Sequence, residues 1–534
     1  MINYWWVTRP KRKLNAVPNV LAALAQGALD KVWAGQRDSH LSFEAALEAN
    51  GIKRTGDRRD QTGGGARTYG AWLISLGLIF NQQGTNQLRL TLAGEAIMNG
   101  ASPVKILTNQ VLKYQFPSAF SLRQSVSVNR RFRIHPFWFL LKLLLDNRLC
   151  YLTQEEIAKI VICEAENESD KCYEHIVKRV LEFREVGDAC LAPDFFQLYK
   201  PSKGDVNPNH PYSHLEDTAN TLKCWLDYTQ LTIYEEQKIR ILNERREDVK
   251  ELVSHTLPLI PRPDEHEYFQ RRYGLDPWHN KDTRNLTGTQ TVTTAMIAEL
   301  LVKKAFVECS LKEPIGGIDT NLIERISEST GVAVAQVEEI LRKNYPYGSI
   351  GAFMADYFEL AFKGTEKCRQ FEEATAAIFR NVFGFDSRWL GSAWSGKEVP
   401  DVLLVSGTGG YQAIIDTKAY SCYDLPSTQR DRMIHHYLPN IAAYSDSNLP
   451  VAFFSYIAGG FSNSIANPLA KVTEETGIPG SAMTVGTFIK LCEQHAHAPY
   501  SHADIKAIFS VGRKVELSDL DMADNLMAAE RPQD

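Results

Sequence analysis

Two carboxylates and a lysine in the last third of the chain have the residue types and spacing to hydrolyse a phosphodiester. Asp401 opens the apolar run PDVLLV, Asp416 and Lys418 close IIDTK, and SGTGG separates the two runs. Short apolar runs broken by Gly, Ser and Thr predict a β-hairpin from a buried sheet over 399–415. Residues two apart in a strand share a face, so Asp416 and Lys418 point the same way, with Thr417 turned inward, and the hairpin returns Asp401 beside them. Paired carboxylates suit a hard divalent cation, which would polarise a phosphoryl oxygen and acidify a water. Lys418 would orient or deprotonate that water and offset charge developing in the transition state. The alternative is two strand-end aspartates and a solvated lysine, because a bare D-x(14)-D-x-K arises readily by chance.

The surrounding residues are more specific. IIDTKAYSCYDLPSTQRDRMIHHY (414–437) resembles the cleavage domain of the FokI restriction endonucleases, members of the PD-(D/E)XK nucleases. The likeness extends to RQFEEATAAIFRNVFGF (369–385) and to FFSYIAGGFSNSIANPLAKVTEETGIPGSAMTVGTFIKL (453–491), covering about 368–491. It implies an α/β restriction-endonuclease-like domain in which Asp401 and Asp416 bind metal and Lys418 is the catalytic lysine. Magnesium is the implied ion, with manganese a substitute. Thr417, through its backbone carbonyl, and Glu372, on a helix over 371–382, are candidates to complete the metal shell, while the Thr417 side chain packs away. The alternative for Glu372 is an exposed helix carboxylate beside Glu373. The helix over 427–437 corresponds to a surface where an Asp and an Arg four residues apart contact a second copy. Asp431 is retained and His435 stands near the arginine position, so a transient homodimer on DNA is implied with an altered contact. Gln429 and Tyr437 are expected to be structural, and His495, His497 and His502 to be solvated loop histidines rather than zinc ligands.

The positioning elements belong to an ordinary globular chain. It has 534 residues and 44% hydrophobic content, enough for three or four domains. No apolar run reaches the roughly eighteen residues of a membrane span, and MINYWWVTRPKRK has no signal-peptide core, so a cytoplasmic protein with no membrane partner is expected. Nine scattered cysteines without a C-x-x-C pair predict reduced thiols. The net charge of -5 hides an asymmetry: residues 1–150 hold 20 Lys and Arg against 8 Asp and Glu, a net of +12, leaving -17 elsewhere. A basic N-terminal third on an acidic body suits a polyanion-binding module, with a solvated basic surface as the alternative.

In chain order, Arg9, Lys11, Arg12 and Lys13 lie beside Tyr4, Trp5 and Trp6 as a candidate phosphate-contacting arm. Helical periodicity covers 19–33 and 41–50. A basic loop follows at 53–67 with Arg58 and Arg59, because Gly63 to Gly65 disfavour a helix, and it lacks the G-x-x-x-x-G-K-[ST] order of a nucleotide-binding loop. A helix over 68–78, the strands IF and QLRLT around NQQGTN, and a helix from Thr91 make a winged-helix pattern, with Arg67, Thr68, Tyr69 and Arg89 as candidate DNA contacts and an internal structural winged helix as the alternative. Arg123, Arg130, Arg131 and Arg133 precede a strongly apolar helix and suit phosphate or guanine contacts. From the capping box TQEE at Thr153, helices over 169–185 and 210–228, the strands LTIY and KIRIL and a helix over 244–253 repeat the rhythm.

TYGAWLISLGLI, LRLTLAGEAIMNGASP, LKYQFPSAF and IHPFWFLLKLL, over roughly 65–145, resemble the AlwI and BspD6I group of type IIS restriction and nicking endonucleases, which implies target recognition by this half. The expected protein is multidomain α+β: a basic winged-helix recognition domain over 1–150, a second winged-helix-like domain over 151–254, a linker and helical docking region over 255–345, a PD-(D/E)XK nuclease over 346–515 and a polar tail over 516–534. Its expected function is magnesium-dependent cleavage of double-stranded DNA at a fixed distance outside a short asymmetric site, paired with a cognate DNA methyltransferase. The alternatives are a strand-specific nicking enzyme, an inactive DNA-binding regulator, and a defence nuclease acting on modified or RNA-containing substrates.

Overall fold

The computed structural model describes residues 1–54, 63–99, 101–118, 120–121, 128–201, 210–235, 237–286, 294–345, 348–364, 367–391 and 399–520. The chain forms two compact units, Met1–Thr293 and Thr294–Asp534. Among the described residues no helix is long and apolar enough to cross a membrane.

In the first unit, the helix Gly64–Ser75, the antiparallel strands β1 (Ile79–Asn81) and β2 (Leu88–Leu90), and the helix Leu92–Met98 follow the expected order. The Thr91 hydroxyl caps the last helix, accepting from the Gly94 N–H at 3.1 Å. Gly64 and Gly65 lie inside the first helix, contrary to the loop expected there. Only Gly63 stands outside, at φ +78°, where a Cβ would come within 2.6 Å of the His40 Cβ. The apolar helix Pro136–Leu145 is buried almost all round. The capping box opens the next segment: the Glu156 N–H donates to Thr153 Oγ1 at 3.1 Å and the Thr153 N–H to Glu156 Oε2 at 2.7 Å. The strands β3 (Leu152–Thr153), β4 (Thr232–Glu235) and β5 (Lys238–Ile241) form an antiparallel sheet in the order β3-β5-β4, with β4 and β5 falling in the chain between the helices Ser213–Tyr228 and Arg246–Ser254.

The stretch expected as a connector is packed along this unit. It contains the helix His266–Tyr273, whose Phe269, Gln270 and Tyr273 are buried. The Tyr273 hydroxyl donates to the Gln110 carbonyl at 2.9 Å, and the Gln270 amide donates to those of Ile74 at 2.7 Å and Ile79 at 3.2 Å. The unit boundary falls between Thr293 and Thr294, so the 255–345 stretch contributes to both units.

The second unit begins with the helices Thr294–Lys312, Thr320–Thr330 and Val334–Asn344, joined around Val302, Phe306, Ile326, Val337 and Leu341. A five-stranded mixed sheet follows in the order β10-β9-β8-β7-β6. Its strands are β6 (Asp386–Trp389), β7 (Val402–Ser406), β8 (Tyr411–Lys418), β9 (Val451–Ala458) and β10 (Gly480–Thr484). β6, β7 and β8 run antiparallel, while β8, β9 and β10 run parallel. β8 is central, and Ala413, Ile414 and Ile415 are fully buried, which explains why it reads as a continuous apolar run. Each such Ile side chain contributes about 1.5–3 kcal/mol. The helix Cys368–Asn381 buries Phe371, Ala374, Thr375, Ile378 and Phe379 along one stripe.

Candidate active site

The β7–β8 ladder begins at Val402 opposite Ile415 and ends at Ser406 opposite Tyr411. Asp401 sits in the bend one residue before β7, level with the end of β8, so the hairpin brings it to Asp416 and Lys418. The Lys418 ammonium lies 2.7 Å from Asp416 Oδ1 and 4.0 Å from Asp401 Oδ2. Asp416 is buried and Lys418 half-buried. The Thr417 side chain, expected to pack away, instead turns to Asp401: its N–H donates to Asp401 Oδ2 at 2.6 Å and its hydroxyl at 3.0 Å. The cause is local, because outside the ladder Asp401 is free of strand alternation and swings across to the Thr417 side.

Burial, followed by the charge of Asp416, pushes the Asp401 carboxyl well above the usual carboxylate range. Burial lowers the affinity of the Lys418 ammonium for its proton, but the charges of Asp416 and Asp401 outweigh it and hold the group above its ordinary range. Two crowded carboxylates with one ammonium leave room for further positive charge. Asp416 Oδ2 is buried with no hydrogen-bond partner, which leaves it available to a cation or to water. Among the described residues no cage of three or more His, Cys, Asp or Glu side chains is gathered. The two carboxylates fit a divalent ion completed by water and substrate phosphate. Glu372 lies on the helix Cys368–Asn381, where its Oε2 accepts from the Trp389 indole at 3.0 Å.

Beside the site, the helix Ser427–Arg432 passes into a π-turn over Met433–Tyr437. The wider turn buries Met433, Ile434 and Tyr437 and leaves His435 and His436 exposed. Exposed Asp431 accepts from Arg430 of its own helix at 3.2 Å. His502, expected in a solvated loop, is a structural clamp. Its Nε2–H donates to the Phe383 carbonyl at 2.8 Å, and its Nδ1 accepts from the Ser406 hydroxyl at 2.6 Å, with that of Thr408 3.0 Å from the same nitrogen. His495 Nδ1 accepts from the Tyr500 N–H at 3.0 Å, so it too serves the fold.

The basic candidates of the first unit separate by what they touch. Arg131 is held by its own fold, donating to Asn3 Oδ1 at 2.9 Å, to Glu166 at 2.6 Å and to the Cys163 carbonyl at 2.6 Å. Arg12 pairs with Asp217 at 2.7 Å, Arg9 reaches the Thr218 hydroxyl at 3.4 Å, and Arg89 is tied to Asp30 and Gln82. Thr68 is exposed and donates to the Gly64 carbonyl at 3.0 Å, while half-buried Tyr69 meets Trp72 edge-on. Arg67 and Lys13 are exposed, and Lys11 is half-buried. Arg130 and Arg133 are exposed and flank a groove of about 420 Å³ with Phe116, Pro117, Phe132 and Pro261. Arg58, Arg59 and Arg123 lie outside the described residues. The residues that the sequence did not single out are Trp389, which holds Glu372, and Tyr456, which stands opposite Asp416 in the sheet. Only the position of one tyrosine in the apolar run VAFFSYIA hinted at the second.

Comparison with known proteins gives two family matches. The FokI cleavage domain matches residues 331–516, which contain the whole sheet and site, and the AlwI restriction endonuclease family matches residues 74–294. Among solved structures, the restriction endonuclease FokI is 15% identical over 97% of this chain and 100% of its own, with a TM-score of 0.28. FokI bound to DNA is 15% identical over 88% of this chain and 85% of its own, with a TM-score of 0.28. The BpuJ1 endonuclease binding domain, in complex with pyrene- and phenanthrene-modified DNA, is 13% identical over 51% of this chain and 96% of its own, with a TM-score of 0.34. No curated protein matches.

Proposed function

We propose that this chain, whose residues 331–516 match the FokI cleavage domain and whose residues 74–294 match the AlwI restriction endonuclease family, is a type IIS restriction endonuclease that reads a short asymmetric sequence in double-stranded DNA and cuts at a fixed distance outside it, using magnesium. The observation that carries the reading is the meeting of Asp401, Asp416 and Lys418 at one end of the β7–β8 hairpin, with the lysine 2.7 Å from one carboxylate and 4.0 Å from the other.

Asp401 and Asp416 would hold the ion, with the Thr417 carbonyl and Glu372 in support, and manganese would substitute for magnesium. When bound, the cation supplies polarisation of the scissile phosphoryl group and a more acidic attacking water. Thr417 fixes Asp401 through its N–H and hydroxyl, so that carboxylate needs no reorganisation during reaction. The Lys418 ammonium orients the water and offsets charge that builds on the phosphate oxygens.

The address lies in the first unit. We read its two helix–hairpin–helix arrangements as winged-helix recognition modules, with exposed Arg130 and Arg133 the favoured phosphate contacts because no partner engages their side chains among the described residues. Arg67, Thr68 and Tyr69 are the next candidates. Double-strand cleavage calls for a second copy on DNA. One observation favours the nicking alternative: Asp431 is already engaged by Arg430, and His435 rather than an arginine stands one turn on. A DNA methyltransferase protecting the same sequence would complete the system.

Sequencing the ends made from a random-sequence plasmid library, with magnesium and with chelator, tests the reading. The expected result is one short asymmetric motif at a constant offset from the cut, and no ends in chelator. Ends scattered over sequence, or cuts inside the motif, would contradict it. Ends on one strand only would select the nicking form.

A further inference from the structure

Asp416 and Tyr456 are register partners on the parallel strands β8 and β9, so their side chains leave the sheet on the same face. Tyr423, five residues beyond Lys418, joins them: its ring centre lies 6.0 Å from that of Tyr456. Its loop is pinned by the Tyr423 N–H to the Gly460 carbonyl at 2.9 Å and by the Ser462 N–H to the Tyr423 carbonyl at 3.0 Å. Tyr456 is 0% and Tyr423 6% exposed.

Three oxygens on this face, Asp416 Oδ2 and the hydroxyls of Tyr423 and Tyr456, are buried without a hydrogen-bond partner. An unpaired buried hydroxyl is destabilising, and phenylalanine would fill either position without that cost. Native folds satisfy nearly all such atoms, so three beside one carboxylate need a partner from outside the chain. Water would satisfy the two hydroxyls and still leave Asp416 Oδ2 a lone pair for a cation, since a polar site with three groups able to bond it is where buried water is held. The neighbours agree: Asp416 is pinned at Oδ1 by Lys418 and left open at Oδ2. A carboxylate held at one oxygen still turns about its last torsion, which has broad, shallow wells.

We propose that Tyr456, together with Tyr423, is a positioning residue for Asp416, its hydroxyl holding ordered water against Oδ2 while Lys418 holds Oδ1. The inference rests on the reading of Asp416 as a metal-binding acid, and it adds a reason for two tyrosines where an apolar core would accept phenylalanine. Partners one step removed from a metal are worth about 10–100-fold in affinity or activity, which sets the effect to look for.

The test uses the full chain and a plasmid that the wild type cuts in magnesium, with Tyr456→Phe, Tyr423→Phe and the double variant. For Tyr456→Phe the expected single-turnover rate falls about tenfold and the magnesium concentration for half-maximal rate rises about tenfold. Without metal its melting temperature changes little, because phenylalanine keeps the ring and its packing and gives up only a bond to water, whose net worth is small. The rise in melting temperature on adding magnesium shrinks, and DNA affinity in chelator is unchanged. Tyr423→Phe shows the same pattern and serves as the independent variant. Wild-type rate and magnesium requirement in both variants would overturn the proposal. So would a loss of rate matched by a fall in metal-free melting temperature, which is the signature of packing. Equal cutting by wild type and Asp416→Ala would instead remove the reading of Asp416, and this inference with it.

Discussion

Thr417 gives Asp401 two donors from one residue, and that pairing depends on Asp401 standing one position outside the β7–β8 ladder. Thr417→Val keeps the N–H and removes the hydroxyl. The expected loss is about 1 kcal/mol of positioning, seen as a roughly five- to tenfold slower single-turnover cleavage. Thr417→Ser retains the hydroxyl and is expected to cut at near the wild-type rate; a serine variant as slow as the valine one would show that the methyl group, not the hydroxyl, matters. The convergence of Asp401, Asp416 and Lys418 was legible in the sequence, because strand alternation and a short turn dictate it. The turning of Thr417 toward Asp401 was not, since alternation says nothing about a residue in a bend.

At the scale of elements, the hairpin carrying the site is fastened at its far end by His502, the first residue of the helix His502–Phe509. The imidazole joins the Ser406 and Thr408 hydroxyls to the Phe383 carbonyl and stacks on Phe385, with ring centres 3.9 Å apart. His502→Ala strands several of these groups at once, and the expected cost is about 2 kcal/mol of unfolding stability, read as a lower melting temperature or denaturant midpoint. An unchanged midpoint would mean that solvent replaces the clamp. Local sequence could not show this element, because Ser406 and His502 are separated by 96 residues and only the tertiary fold joins them. The same limit explains the stretch at 255–282. Its prolines and charges predicted a connector, whereas buried Gln270 and Tyr273 of a short helix fasten it to carbonyls far upstream. Strands β7 and β8 and the helix Cys368–Asn381 were legible because their periodicity is strong over their full length.

Over the whole molecule, charge is divided: the basic third lies in the unit Met1–Thr293, and the acidic remainder includes the residues 331–516 that match the FokI cleavage domain. Part of that basic charge serves the fold, as Arg131 and Arg148 show. Asp146 illustrates the consequence for stability. Hydrogen bonds from Arg148, opposed by burial and helped by the Tyr173 hydroxyl, hold its carboxyl down at about 2. A depressed acid stabilises the fold above its unfolded-state value, and that contribution is lost as pH falls toward the folded value. The melting temperature of the first unit is thus expected to drop between about pH 4 and pH 2, and Asp146→Asn is expected to flatten that part of the profile. Parallel profiles for variant and wild type would assign the acid loss to other carboxylates.

The central claim is that one cluster at the end of one hairpin does the cutting while the first unit supplies the address. Single-turnover cleavage of a plasmid cut by the wild type, with Asp416→Ala and Lys418→Ala beside it and binding followed by gel shift, tests it most directly. The account predicts that both variants lose at least about a thousandfold in rate and bind the same DNA within about twofold of wild type. Wild-type cutting by either variant, or undiminished cutting by the wild type in chelator, would contradict it.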